Sequence, residues 1–354
     1  MKPIILLVKK YFFAGLLLFL PFLNSQAQDV HFSQFNMAPL QQNPAMAGAL
    51  YDLQAIVLYR EQWRSVIEPF TTISASLDMR LHKKRVKTGF WAAGLNFFSD
   101  RAGSARLGST QGSISIAYQL KLNKYHLLGV GMQGSFAQWG FSPDGLQWGK
   151  QYQGGAFNPT LPTGELFQNQ RVNYFDAGTG INWTYNNTAG ARMVTDNHDL
   201  RFSAGFAIFH PIRPDYSVIE GNADKLYVKT VLYGNGLISI ANTDLAFVPG
   251  FFVYNQGPSR QIFAGSLLRY KFKQESKYTG FERGAAVSAG MYLRAQDGFA
   301  ACMLLELAKI AVGVSYDFNT SAFRNATGTR GAFELSLRFI NPNPFMTSAS
   351  RSRI

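Results

Sequence analysis

The chain has one cysteine, Cys302, in 354 residues. That excludes an internal disulfide framework and a cysteine-based metal site. Cys302 lies in the apolar run Ala300-Ala301-Cys302-Met303-Leu304, the setting of a packed, inert thiol. Charge is scarce too: Asp, Glu, Lys and Arg make up 16% of the chain, against about 25% in soluble domains. Beyond the N-terminus every apolar run is broken within about ten residues by Gly, Asn, Gln or a charge, so no further membrane helix is expected. His31, His82, His126, His198 and His210 include no His-x-x-x-His pair, which speaks against zinc. Asp196-Asn197-His198-Asp199 lacks the Gly and distal Glu of a calcium loop and reads as a polar turn. No Gly-x-Ser-x-Gly and no local Ser/His/Asp set appears. Function has to be argued from a site, and none of a catalytic kind is legible. The expectation is a non-enzyme without a cofactor.

What is present begins with an export signal. Lys2, Lys9 and Lys10 precede the apolar run 11–22, and Ser25-Gln26-Ala27 offers small residues for cleavage. Residues 1–27 therefore read as a signal peptide, with the mature chain starting at Gln28. The remainder is rich in aromatics (14%, with 30 Phe and 16 Tyr) and in glycine (33). Abundant aromatics and glycine, little charge and no apolar 20-mer together point to a membrane β-barrel.

The hydropathy pattern agrees. Ile114, Ile116, Tyr118 and Leu120 alternate with Ser113, Ser115, Ala117, Gln119 and Lys121. Phe333, Leu335, Leu337 and Phe339 alternate with Glu334, Ser336 and Arg338. The apolar set is expected to face lipid and the polar set the lumen. Counting such segments gives fourteen strands, at 51–60, 70–81, 88–98, 109–121, 125–139, 172–186, 199–209, 226–240, 243–254, 260–273, 283–294, 298–307, 309–318 and 330–340. The even count suits a closed antiparallel barrel of the outer membrane over 51–340, with a C-terminal tail at 341–354. Closure matters because an open edge in lipid leaves backbone groups unpaired, at several kcal/mol each. Segment 245–254 is apolar on both parities and fits the scheme less well.

Two regions do not read as strands. Segment 28–50 precedes the barrel and is placed in the periplasm or, entering from the periplasm, in the lumen. Segment 140–171 is the longest outer loop, with Trp148, Tyr152, Phe157 and Phe167 spread through it. Those four aromatics are the candidate partner-binding residues, since aromatics without strand periodicity are enriched in recognition surfaces. Gly129-Val130-Gly131-Met132-Gln133-Gly134 has dinucleotide-loop spacing but sits in a strand pattern with no helix after it. Small residues that line a lumen or ease curvature are the better reading. The formal net charge is +13, and loss of the three leader lysines leaves +10. An exported chain has no nucleic acid to meet. Basic groups such as Lys83-Lys84-Arg85 are read as contacts to anionic lipid or an acidic partner, or as lumen charges.

Four stretches carry a family resemblance: Asp29-Val30-His31-Phe32-Ser33-Gln34-Phe35; Asn43-Pro44-Ala45 with Ala47-Gly48; Tyr59-Arg60-Glu61-Gln62-Trp63; and Ser315-Tyr316-Asp317-Phe318-Asn319 with Gly331-Ala332-Phe333-Glu334-Leu335-Ser336-Leu337. In that order they resemble the PorP/SprF family of outer-membrane proteins associated with type IX secretion and gliding motility. Val30 stands where that family usually has Pro. The resemblance implies a barrel that supports secretion or surface anchoring of a specific large adhesin, binding its C-terminal region and other secretion components. The competing function is a channel for small or hydrophobic solutes. A lumen filled by 28–50 or 140–171 favours the first, and an open charge-lined lumen the second.

Three charges within these motifs invite a geometric expectation. Arg60 shares the parity of Gln54, Ile56 and Leu58, and Asp317 and Glu334 each lie between lipid-facing residues. All three are therefore expected inside the barrel near its outer rim, with Glu334 between Arg60 and Asp317 once the last strand closes on the first.

Overall fold

The structure is a computed structural model that describes residues 29–341 except 67, 82–87, 144–145, 165–169, 187–199, 219–223, 274–283 and 322–323. The leader, Lys83-Lys84-Arg85, Phe167, Asp196-Asn197-His198-Asp199 and the tail beyond 341 lie outside the described residues.

The strands are β1 (Leu53–Gln62), β2 (Phe70–Arg80), β3 (Gly89–Arg101), β4 (Gly108–Lys121), β5 (His126–Gly140), β6 (Tyr152–Gln153), β7 (Ala156–Phe157), β8 (Arg171–Asn186), β9 (Leu200–Phe209), β10 (Lys229–Ser239), β11 (Leu245–Gln256), β12 (Ser259–Lys273), β13 (Ala285–Arg294), β14 (Gly298–Leu307), β15 (Ile310–Asn319) and β16 (Arg330–Asn341). All but β6 and β7 form one closed antiparallel barrel of fourteen strands, sealed where β1 pairs with β16. Every strand expected from the pattern is present, with boundaries moved by three residues or fewer. The exception is β6–β7, a hairpin inside the segment read as free of strands. Gly154 and Gly155, at φ +62° and +84°, supply the two left-handed positions of its tight turn.

Outward positions carry the apolar belt: Met132 and Phe175 are 70% and 73% exposed, an arrangement that requires lipid rather than water. The connections after β1, β3, β5, β9, β11, β13 and β15 share one end of the barrel, which carries the longest loop, 141–170. Long loops mark the extracellular end of such barrels.

The lumen is filled. Residues 29–49 run down the inside of the barrel from the outer end to the inner end, almost all buried, and the chain then turns into β1. The expected passage inward from the periplasm is thus reversed: the first described residue, Asp29, lies at the outer end, because its hydrogen-bond partners His210, Lys229 and Gln256 are there. Phe35 and Met46 pack on Phe209, Phe252, Tyr254, Phe263 and Tyr292. Phe32 and Met37 pack on Ile56 and Leu58, and Leu40 on Ala92 and Ala117. Each fully buried large side chain contributes about 1.5–3 kcal/mol. This core explains the strand that was apolar on both parities. The outward face of β11 meets lipid, while its inward Phe252 and Tyr254 meet Phe35 and its neighbours.

Candidate functional site

The segment that fills the lumen is built from short turns. Asn43 Oδ1 accepts from the Ala45 backbone N–H (2.8 Å), capping a helical turn at Pro44–Met46. Pro44 and Pro39 each open a turn, where a missing N–H costs nothing. Gly48 follows at φ +62°, and a Cβ there would lie 2.7 Å from the Ala92 Cβ. The Asn-Pro-Ala-x-Ala-Gly motif therefore encodes a capped turn and a left-handed exit.

The wall makes room for it with glycine. A Cβ on Gly131 would meet the Ala45 backbone at 2.5 Å, and one on Gly129 the Ala45 carbonyl at 2.9 Å. Gly134 in the same run points outward, with nothing within 4 Å. Gly94, Gly180 and Gly313 face Leu40, Asn43 and Gln34 in the same way. Gln119 spans the remaining gap, donating to the Ala45 and Ala47 carbonyls at 2.7 and 2.9 Å.

Polar anchors fix the upper half. At the outer end the Asp29 carboxylate meets His210 Nε2 at 2.8 Å, Lys229 Nζ at 3.1 Å and Gln256 Nε2 at 3.1 Å. His210 Nδ1 meets Asp176 at 2.6 Å, so the ring is held between two carboxylates. Burial alone would raise the Asp29 carboxyl; Lys229 and His210 outweigh it and hold it well below the usual carboxylate range. Burial pulls His210 down, but Asp29 and Asp176 outweigh it and push the imidazole up to about 9. This latch is an ion pair at ordinary pH.

One turn further down lies the closing seam. Arg60 pairs with Glu334 and lies 3.4 Å from Asp317; the three residues are buried. The structure thus brings together the three charges singled out in the sequence. It adds a fourth, Arg294 on β13, which reaches Asp317 at 2.7 Å and Asp297 at 2.8 Å. Ala300 on the intervening β14, paired with both Tyr292 and Asp317, is small enough to let it pass. Arg294 was open to the same parity count, but it lies in no recognised motif. Glu334 is also saturated from inside: the Ser33 and Gln34 N–H groups donate to its two oxygens at 2.8 and 2.9 Å, and Ser315 Oγ to one at 3.2 Å. Ser33 Oγ accepts from Arg294 at 2.9 Å. The N-terminal, Arg60-bearing and C-terminal motifs, far apart in sequence, meet in this one network.

Below the segment, at the inner end, the barrel holds a cavity of about 480 Å³. Arg80, Lys121, Arg201, Arg269 and Arg338 stand around it, with Glu306 bound by Arg269 and Arg338 at 2.6 and 3.4 Å. On the outer loop, Trp148 is half-buried, while Tyr152 is exposed and pairs with Phe157 across the hairpin, centroids 5.6 Å apart.

Residues 24–339 match the family described as type IX secretion system membrane protein PorP/SprF. No functionally curated protein matches the chain. Among solved structures, it is similar to the CymD monoaromatic hydrocarbon channel (10% identity, 89% of this chain and 95% of that one, TM-score 0.42). It is also similar to the NanC porin (11%, 82% and 100%, 0.37). A third is BamA from Haemophilus ducreyi lacking POTRA domains 1–3 (10%, 82% and 70%, 0.39). Likenesses at these TM-scores have no bearing on function.

Proposed function

Because the chain belongs to the PorP/SprF family of type IX secretion system membrane proteins, we propose that it is a non-enzymatic accessory of that secretion route. In this reading it supports the export or surface anchoring of one large adhesin by binding the adhesin's C-terminal region. The chain is a multi-pass β-barrel of the outer membrane. The observation that supports a scaffold over a solute channel is the filled lumen: residues 29–49 are latched at Asp29, bonded at the seam and seated on wall glycines. A channel would have to expel a segment that buries Phe32, Phe35, Met37, Leu40 and Met46. The outer loop, with Trp148, Tyr152 and Phe157, is the candidate partner surface.

The test is deletion of the gene followed by a survey of surface adhesins and of the secretome. The expected result is loss of one adhesin from the surface with other secreted proteins unchanged. Unaltered adhesin display, or a general collapse of secretion, counts against the proposal.

A further inference from the structure

Glycine inside a strand weakens it, so its presence marks a bend or the close approach of another group. In the barrel wall that group is nearly always this chain. A Cβ on any barrel-strand glycine but two would come within 3.0 Å of another part of the molecule. The exceptions are Gly112 on β4 and Gly134 on β5, where a Cβ would meet nothing within 4 Å. Both point outward, on the parity of the exposed Ile114, Met132 and Phe136. They lie diagonally across one ladder, Gly112 opposite Phe136 and Gly134 opposite Ile114. Phe97 on β3 stands on the other side of Gly112. The lipid-facing wall therefore has a recess that no described residue fills.

Toward the outer end the wall changes chemistry row by row. The row of the recess is Phe97, Gly112, Phe136 and Phe175. The next is Ser99, Thr110, Gln138 and Asn173, all neutral and polar. In it the Ser99 and Thr110 hydroxyls lie 3.0 Å apart, and Gln138 Nε2 donates to Asn173 Oδ1 at 3.0 Å. The last row is Arg101, Gly108, Gly140 and Arg171, with a cation at each end. Both arginines are exposed and have no ion-pair partner among the described residues. The adjoining carboxylate Asp100 and the nearby Asp176 point inward, bound to Thr72 and His210.

This face meets the outer leaflet, because the loops beyond it are extracellular. From outside inward it offers cations, then hydroxyls and amides, then an aromatic-flanked recess. An acylated sugar with anionic groups on its head presents the complementary order. A glycerophospholipid fits less well: between phosphate and acyl chain it has ester carbonyls, which only accept. Asn173 has N–H groups left to donate and Gln138 a carbonyl left to accept, as sugar hydroxyls and amides require. The wall does not repeat the arrangement on β12. There the outward Arg260 pairs with Asn255 and stands directly above Ile262 and Val253, with no polar row between.

We propose that the outward face of β3, β4, β5 and β8 is a binding site for one anionic glycolipid of the outer leaflet. Arg101 and Arg171 engage its phosphates or other acidic groups, Ser99, Thr110, Gln138 and Asn173 its sugar, and an acyl chain lies in the recess at Gly112 and Gly134. The inference draws on the outer-membrane location alone and is independent of the secretion reading.

The mature protein, folded in detergent micelles, is titrated with deep-rough lipopolysaccharide, with the same lipid after dephosphorylation, and with phosphatidylglycerol. Native mass spectrometry reads the fraction of barrel that retains lipid. The unaltered protein is expected to hold one lipopolysaccharide in preference to the other two. Retention should fall about tenfold in R101E/R171E. It should also fall in G112L/G134L, whose side chains fill the recess, and stay unchanged in R260E. Equal loss in R101E/R171E and R260E, or no loss in either, overturns the proposal, since the lipid is then held by the annulus at large. Phosphatidylglycerol bound as tightly and lost as steeply in R101E/R171E also overturns it, because that marks a general phosphate contact. No retention of lipopolysaccharide overturns it too and leaves the arginines to a protein partner of the outer loops. Should either double variant fail to fold, the order of the three lipids on the unaltered protein and the single R171Q variant still decide.

Discussion

The Ser33 backbone N–H donates to the Glu334 carboxylate at 2.8 Å, joining residues 301 positions apart. The segment that fills the lumen and the strand that closes the barrel are thus bonded to each other inside it. Arg60 on β1 holds the same carboxylate from the wall.

Arg60→Ala leaves Asp317 and Glu334 buried with one fewer cation. Breaking a buried pair by removing one partner costs about 3–5 kcal/mol. The variant is expected to lose its folded, fast-migrating gel form at a lower temperature than the parent. Adding Glu334→Gln removes the stranded charge and should restore part of the difference. Unchanged heat resistance in Arg60→Ala would contradict a stabilising seam.

The latch at Asp29 gives a pH dependence of known sign. His210 has its folded value raised from 6.5 to about 9, so its contribution is complete below 6.5 and is lost as pH rises through about 9. Asp29 is lowered, so its contribution is present above 3.8 and is lost only in acid below that. Hydrogen exchange of 29–35 should therefore accelerate, beyond the intrinsic base-catalysed rise, between pH 7 and 10. His210→Ala should remove that step. A protection profile flat in pH for the parent protein would rule out the latch.

Two glycines in one strand separate filling of the lumen from barrel stability. Gly131→Val puts side-chain atoms where the Ala45 backbone lies, whereas Gly134→Ala enters open space. Gly131→Val is expected to fold as a barrel and to show steady conductance in planar bilayers. The parent and Gly134→Ala should remain nearly silent. Large steady conductance in the parent would instead favour a transport channel.

The outer loop is tested by Trp148→Ala with Tyr152→Ala. Tyr152 is exposed, so the pair should leave barrel assembly intact, with stability changed by about 0.5 kcal/mol at that site. Adhesin display in cells is expected to fall. Normal display from correctly assembled protein removes the loop as a partner surface.

The barrel was legible because lipid on one side and a filled lumen on the other impose a two-residue period, as in Phe333 to Phe339. The pattern blurred at β11 for a physical reason: its inner face packs on Phe35 and is as apolar as its outer face. Arg60, Asp317 and Glu334 could be placed by parity and strand order alone, and the structure brings them into contact. The Asp29–His210 pair could not, since 181 positions separate the two and neither lies in the period of a strand at the contact. The β6–β7 hairpin was hidden because four strand residues carry no period, although Gly154-Gly155 marked its turn.

Glu334 owes its comfort in the barrel interior to donors from two directions, Arg60 on the neighbouring strand and the Ser33 and Gln34 amides within. β16 is the last of the described strands and the one that closes the ring against β1. A ring that closed around an empty interior would enclose that carboxylate with half its partners missing. Sealing the wall and seating the interior therefore stabilise each other through one carboxylate.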